Sequence, residues 1–212
     1  MRLVLASRNP HKLRELAELM APHELEPLPP NIELPPETAT TFSGNALIKA
    51  RAAAVATGRP ALADDSGIEA SALGGAPGVF SARYAGEGAT DQENLDKLLS
   101  EVPPDGDTGV AYVCVLAVVD PAGGELLAEG RCEGELTHEP RGEGGFGYDP
   151  AFVPADREDG RTMAEIEPGA KDAISHRGRA AREMLKRLEE LEHSERRLPN
   201  PFDLPGRRGR AR

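Results

Sequence analysis

Two adjacent carboxylates, Asp64 and Asp65, stand in the run Ala63-Asp64-Asp65-Ser66-Gly67-Ile68, where a short apolar stretch gives way to Ser and Gly. Read as a strand ending in a tight turn, this run presents acid side chains at an exposed strand end. A hard divalent cation needs such a site: Mg²⁺ takes oxygen ligands in octahedral geometry and is usually held by one or two carboxylates plus substrate phosphates. A turn with no ligand has the same composition, because Asp, Ser and Gly all favour turns. The run alone does not decide between the two.

Four other segments bear on the choice. Ser7-Arg8-Asn9-Pro10-His11-Lys12 has the pattern of a strand end, a polar turn and a helix start. The first amides of a helix have no internal partners and the helix dipole places partial positive charge there, so phosphate binds such ends. Lys12 adds a full charge in the first turn, where the dipole disfavours a cation. A local rule broken in this way points to function, although an ordinary capped helix with an exposed lysine reads the same. Asn45 and Lys49 are four apart and share a helix face, with Glu37 just upstream. The three can line one site with the Asp pair, or simply decorate a surface helix.

Gly142 to Pro150 contains a formal G-x-G-x-x-G, but a dinucleotide fingerprint must follow a strand and open a helix. Here Pro150 and a β-like run follow. A glycine loop bearing Phe146, Gly147, Tyr148 and Asp149 suits a flat ring, since the backbone can come close and an aromatic can stack. A tight turn whose aromatics plug the core is the plainer alternative. The last segment is Lys171 with Ser175-His176-Arg177-Gly178. Arginine is a pure donor with a planar fork, suited to a carbonyl on a base edge or to phosphate. A solvated basic turn accounts for the same letters.

The elements that must position these residues alternate in the α/β manner. Residues 2–6 read as a strand. A helix follows to about Met20, with Asn9 as N-cap, Pro10 in its first position and Leu13, Leu16 and Met20 on one face. A Pro-rich loop spans Pro22 to Pro36. A second helix is expected from Gly44 to Thr57, capped by Ser43 and closed by Gly58. Ala61 to Ala63 form a short strand into the acidic turn, and a loop runs from Ala72 to Gly88. Thr90 and Glu93 make a capping box for a third helix to about Ser100. Residues 109–120 and 125–134 read as an antiparallel pair, and 151–153 as a further strand. A last helix is expected from near Ser175 to about His193, with Ala181, Met184, Leu185, Leu188 and Leu191 as its apolar stripe.

The chain has 212 residues, 39% hydrophobic and 29% charged, which fits one α/β domain with a sizeable core. Two cysteines, Cys114 and Cys132, make neither a disulfide framework nor a zinc site and read as buried free thiols, which fits a reducing cytoplasm. There is no leader-like N-terminal run. The longest apolar stretch, Val110 to Val119, is too short to span a bilayer and reads as a central strand buried on both faces. No membrane partner is expected. Net charge of −11 argues against nucleic-acid binding. The charge is uneven: residues 194–212 carry six basic and two acidic side chains. The expected organisation is therefore a domain over 1–193 and a basic, disordered tail over 194–212.

Taken in order, these segments resemble the inosine triphosphate pyrophosphatase family. The resemblance rests on Ser7-Arg-Asn-Pro-His-Lys12, Thr41-Phe-Ser-Gly-Asn45-Ala-Leu-Ile-Lys49-Ala, Ala63-Asp-Asp-Ser-Gly67 and Gly74-Gly-Ala-Pro-Gly78-Val-Phe-Ser-Ala-Arg83-Tyr. Gly144-Gly-Phe-Gly-Tyr-Asp-Pro150 and Ala173-Ile-Ser-His-Arg-Gly178 complete it, so that residues 3 to about 190 are covered. The resemblance implies a mixed twisted β-sheet flanked by helices, two lobes with a central cleft, and a homodimer. It also implies Mg²⁺-dependent cleavage of the α–β phosphoanhydride of non-standard purine nucleoside triphosphates such as ITP, dITP and XTP. By motif, Asp65 is the implied general base and metal ligand, with Asp64 and Glu37 as acidic partners and Ser66 as a substrate contact. Ser7, Arg8, Asn9, Pro10, His11 and Lys12, together with Lys49 and Lys171, are implied triphosphate contacts, and Asn45 falls in the same substrate site. Phe146, Gly147, Tyr148, Asp149, His176 and Arg177 are the implied base pocket. Arg8 stands where the family often has Gly, and Gly169-Ala170 stand where an acidic pair is common.

Elementary chemistry agrees with that implication. Phosphoanhydride hydrolysis needs charge neutralised on the phosphates and a water oriented in line. A ring with a 6-oxo group presents an acceptor where adenine presents a donor. Two other readings stay open on sequence alone: a broader triphosphatase on a similar fold, for example a Maf-like enzyme acting on modified pyrimidines, and a nucleotide- or RNA-binding module that uses the basic tail. The Asp pair favours an enzyme, because a binding module has no need of a proton acceptor beside a metal.

Overall fold

The structure, a computed structural model, describes residues 1–197. Six strands form one sheet: β1 (Arg2–Leu5), β2 (Glu24–Pro27), β3 (Ala61–Ala70), β4 (Gly109–Val119), β5 (Glu125–Leu136) and β6 (Phe152–Pro154). Their order across the sheet is β2-β1-β3-β4-β5-β6. The first three run parallel and the last three pair antiparallel, so the sheet is mixed. Five α-helices flank it: α1 (Pro10–Leu19), α2 (Phe42–Thr57), α3 (Asp91–Glu101), α4 (Pro168–Ile174) and α5 (His176–Arg197).

The side-chain period of two sorts the long strands onto two faces. Ala61 and Ala63 of β3, with Val113, Val115 and Ala117 of β4, pack against α2 through Ala46, Ala50, Ala53 and Ala54. Alanines on both surfaces let α2 lie close to the sheet, which carries Asn45 and Lys49 down to β3. On the other face, Leu62, Cys114 and Leu116 meet Leu16 and Met20 of the α1 region and Ala180, Ala181, Met184 and Leu188 of α5. A third cluster holds the far end of the sheet, with Ile68, Leu95, Leu98, Tyr112, Phe152 and Met163 in contact. β4 is buried along its length apart from its first residue, as its unbroken apolar run requires. Both cysteines are free and buried. No helix among the described residues is long and apolar enough to cross a membrane.

Several expectations need correction. The Pro-rich loop contains β2, a four-residue edge strand whose register is set by pairing with β1. Helix α2 starts at Phe42 and is capped by Thr41, whose hydroxyl accepts from the Gly44 amide; Ser43 lies inside the helix. The loop after β3 contains the 3₁₀ segments Ser71–Leu73 and Gly78–Arg83. A short helix, α4, precedes α5, and α5 continues to Arg197, past the expected boundary at His193. The rest of the expected basic tail, residues 198–212, lies outside the described residues.

The largest correction concerns the acidic run. β3 does not end in a turn at Asp64-Asp65-Ser66-Gly67; it passes straight through to Ala70, paired with β4 at every position. Gly67 is required for packing, not for turning. A Cβ there would collide with the Gly78 carbonyl oxygen and the Ser81 hydroxyl, and would stand 3.0 Å from the Phe42 ring. The absence of a side chain lets the Gly78–Arg83 segment cross over β3, where the Ile68 amide donates to Ser81 Oγ at 2.9 Å.

Candidate active site

Consecutive residues of a strand point to opposite faces, and β3 uses this to divide its two carboxylates. Asp64 faces α1 and α5. Lys12 Nζ is 2.8 Å from its Oδ2 and Arg177 Nη2 is 3.7 Å away. Arg177, buried at the start of α5, also pairs with Glu15 of α1 at 2.8 Å and donates to Ser66 Oγ at 3.3 Å. Burial alone would raise the Asp64 pKa, but Lys12, Arg177 and Lys49 together outweigh it and hold the carboxyl well below the usual carboxylate range. Asp64 is thus a committed anion between two cations.

Asp65 faces α2. Asn45 Nδ2 donates to its Oδ2 at 3.0 Å, and Asn45 Oδ1 accepts from the Ala39 amide at 2.9 Å, which fixes the orientation of the carboxamide. Lys49 Nζ lies 3.8 Å from Asp65 Oδ1 and is hydrogen-bonded to Glu37. Burial, reinforced by the Glu37 charge, lifts the Asp65 pKa to about 6 against the opposing pull of Lys49 and Asn45. Lys49 stays charged: burial works against its proton, but Asp64, Asp65 and Glu37 together raise its pKa. A carboxylate with a pKa near neutrality is suited to accepting a proton.

A cavity of about 350 Å³ opens on the Asp64 face. Lys12, Ser66, Phe146, Tyr148, His176 and Arg177 line it, with Arg177 beside Ser66. Its walls are held by buried polar contacts. Asp149 Oδ1 accepts from Tyr112 Oη at 3.1 Å, and its Oδ2 accepts from the Phe146 amide at 2.9 Å and from Lys171 Nζ at 2.6 Å. Tyr148 Oη donates to the Ser81 carbonyl at 2.7 Å. His176 stacks on Tyr112 with centroids 4.7 Å apart. Burial, then the neighbouring Arg177 and Lys171 charges, push its pKa well below the ordinary histidine value, so it is neutral. Its Nδ1 has no hydrogen-bond partner among the described residues. Phe146 is exposed at the rim, with the Lys171 and Arg177 cations 5.7 and 5.9 Å from its ring centre.

The structure therefore brings Lys12, Ser66, Phe146 to Asp149, Lys171, His176 and Arg177 around one cavity, and Asn45, Lys49, Glu37 and Asp65 around a second point across the same strand. The three expected metal carboxylates do not converge: Glu37 and Asp65 share Lys49, while Asp64 is turned to the other face. Among the described residues no group of three His, Cys, Asp or Glu side chains is placed to hold a metal. Within the turn before α1, Asn9 Oδ1 accepts from the His11 and Lys12 amides, and Ser7 Oγ accepts from the Asn9 amide. Pro10 starts the helix, and exposed His11 contacts Arg14 at 3.1 Å. Arg8 points elsewhere. Its guanidinium donates to the carbonyls of Leu28, Pro29 and Pro30 at 3.3, 3.1 and 3.2 Å and to that of Ile32.

Sequence reasoning missed Glu15, Ser81, Asp91 and Asn94. Glu15 had a signal, three residues after Lys12 on the same helix face. Asp91, whose Oδ2 accepts from the Gly147 amide at 2.9 Å, lies in the first turn of α3. Asn94, which accepts from the Ala85 amide at 2.8 Å, gave no signal at all.

A carboxyl with a pKa raised towards neutrality and a cation-lined cavity, both carried by one strand of a mixed sheet, are what an enzyme on an α/β scaffold presents. The sequence pattern of the Ham1 family matches residues 3–187. A dITP/XTP pyrophosphatase of Coxiella burnetii is 48% identical over 201 residues, covering 89% of this chain and 96% of that protein. One from Streptomyces coelicolor is 46% identical over 198 residues, covering 90% and 98%. Among solved structures, a HAM1 protein from Coxiella burnetii superposes with a TM-score of 0.82 at 45% identity, over 90% of this chain and 99% of that one. The Staphylococcus aureus Ham1 protein gives 0.81 at 36%, over 90% and 100%. The chain belongs to the Ham1 family, which bears out the resemblance read from its motifs.

Proposed function

We propose that this enzyme hydrolyses non-standard purine nucleoside triphosphates, the dITP and XTP named for its relatives and ITP with them, to the monophosphate and pyrophosphate. The observation that carries the reading is the division of labour on β3. Asp65, poised near pKa 6, sits one residue from Ser66, which lines the cavity. A substrate with its ring in the cavity and its phosphates running past Lys12 and Ser66 would reach the Asp65 side of the strand.

The reaction balances simply. A water oxygen forms a bond to the α-phosphorus, its proton passes to Asp65, and the bond from that phosphorus to the α–β bridging oxygen breaks with its electron pair leaving on pyrophosphate. Removing or mis-setting such a base costs roughly 10²–10⁴ in rate. Lys12 and Lys171 neutralise phosphate charge. At the ring end, a 6-oxo group needs a donor. The neutral His176, whose Nδ1 is unpaired among the described residues, lines that space. Adenine, with an amine at the same position, would leave buried groups unmatched, a defect worth up to roughly 10⁴ in discrimination.

Mg²⁺ fits the donor set. Glu37 and Asp65 are hard oxygen donors that already converge on one positive charge, the Lys49 ammonium, and two carboxylates plus substrate phosphates are a usual magnesium site. Bound there, the ion would supply charge neutralisation on the phosphates. Asp64, committed to Lys12 and Arg177, is not part of this set. Removal of non-standard nucleotides from the cytoplasmic pool, by a homodimer, completes the proposal.

The test is to incubate the protein and Mg²⁺ with ITP, dITP, XTP, GTP and ATP and assay pyrophosphate. Release from the first three and little from ATP supports the reading; no release from ITP or XTP removes it.

A further inference from the structure

Most cations around the site are engaged at close range. Lys12 pairs with Asp64 at 2.8 Å, Lys171 with Asp149 at 2.6 Å, Arg177 with Glu15 at 2.8 Å, and Lys49 with Glu37. Arg8 is consumed by backbone carbonyls. Arg83 differs. It closes the 3₁₀ segment Gly78–Arg83, the segment that Gly67 allows to cross β3. Its guanidinium lies 3.8 Å from Glu37 Oε2 and 3.6 Å from Glu87 Oε1, too far for hydrogen bonds, and 5.3 Å over the Phe80 ring. None of its five donors makes a hydrogen bond among the described residues. Glu87 is 91% exposed, so that pair contributes little.

The position of Arg83 is specific. Ser81 and Ala82, just before it, line the cavity, and Glu37, which it faces, reaches towards Lys49 and Asp65 from the other side. Arg83 is thus a planar fork with unused donors at the junction between the cavity wall and the carboxylates. Such a fork matches phosphate oxygens bidentately.

We propose that Arg83 takes up the pyrophosphate end of the substrate and holds it as the leaving group. As the bond to the α–β bridging oxygen breaks, the electron pair and the growing negative charge pass to pyrophosphate, and the free donors of Arg83 meet that charge. The assignment rests on the reading of the reaction given above.

Product inhibition separates the two. Wild-type protein, Arg83→Ala and Arg83→Lys are compared for inhibition by pyrophosphate and by IMP, with melting temperatures as a check on folding. Loss of a charge-assisted contact predicts a pyrophosphate inhibition constant raised roughly 10- to 100-fold in R83A, with IMP inhibition changed less than about twofold. R83K keeps the charge but not the fork, so it falls between. A merely structural role would weaken IMP and pyrophosphate alike, and that result overturns the proposal, as does unchanged pyrophosphate inhibition in both variants. A wild type that pyrophosphate does not inhibit overturns the proposal, whereas release of orthophosphate in place of pyrophosphate from ITP shows that the underlying reaction is misassigned, a failure visible before any variant is made.

Discussion

Asp64 and Asp65 are adjacent in the chain yet face opposite sides of the sheet, one locked between Lys12 and Arg177 and the other set against Asn45 and Lys49. One carboxyl is held far below its ordinary pKa and the other is lifted to about 6. Two carboxylates whose environments push their pKa values apart have different tasks. Asp64 fixes cations in place; Asp65 is free to gain and lose a proton.

That division predicts opposite outcomes for one substitution. Asp64→Asn leaves two cations facing a neutral amide at a site only 1% exposed, and breaking a buried pair in this way costs about 3 kcal/mol. For a chain of this size the melting temperature should fall by roughly 6–12 °C. Asp65→Asn should leave it unchanged or raised at neutral pH. The folded pKa of Asp65 is raised, so its charge penalises the fold above about 6 and the penalty vanishes below the ordinary value of 3.8. The same variant should lose roughly 10²–10⁴ in kcat. Thermal melts and steady-state assays of both variants check this, and a more severe loss of stability in Asp65→Asn would contradict it.

The rate itself should follow the Asp65 proton. With Mg²⁺ limiting, kcat/KM should drop as pH falls through about 6, because a protonated carboxyl cannot accept the water's proton. Raising Mg²⁺ should move this acid limb to lower pH, since a cation beside the carboxylate favours its charged form. A limb that does not move with Mg²⁺ would separate the ion from Asp65.

His176 gives a stability prediction with a defined sign. Its folded pKa lies well below the ordinary 6.5, so the unfolded chain binds a proton that the folded one refuses. The stability it contributes is complete above 6.5 and is lost progressively as pH falls below it. Between pH 7.5 and 5.5 the wild type should therefore lose more stability than His176→Gln in denaturant titrations. Equal losses would show that the imidazole charges freely in place.

Arg8 tests how far its motif position can be trusted. Read as part of a phosphate-binding turn it should contact substrate, but its donors are spread over four carbonyls of the segment 28–32. Arg8→Ala should change the nucleotide KM by less than about threefold while exposing that segment to protease, whereas loss of a true phosphate contact would raise KM roughly 10-fold or more. Limited proteolysis beside steady-state kinetics distinguishes the two.

These residues also mark what the sequence could and could not reveal. The Asn9-Pro10 start of α1, the Thr90–Glu93 capping box of α3 and the β4–β5 pair were legible, because each is written in local chemistry that the structure keeps. β2 was not, since four residues ending in Pro27 become a strand only by pairing with β1. The passage of β3 through Asp64 to Gly67 was hidden for a different reason. Asp, Ser and Gly signal a turn, and only the crossing of Gly78–Arg83 reveals that Gly67 makes room for another backbone. At the site, motif order identified the residues that gather. It could not tell that Asp149, and Arg177 through its two Nη atoms, are engaged by protein partners, because such partners lie far away in the chain.

The central claim is that water attacks the α-phosphorus beside Asp65. Hydrolysis of ITP in water labelled with heavy oxygen, followed by mass spectrometry of both products, tests it most directly. The account predicts the label in IMP and none in pyrophosphate. Label in pyrophosphate, or release of orthophosphate carrying it, would place the attack on another phosphorus and contradict the account.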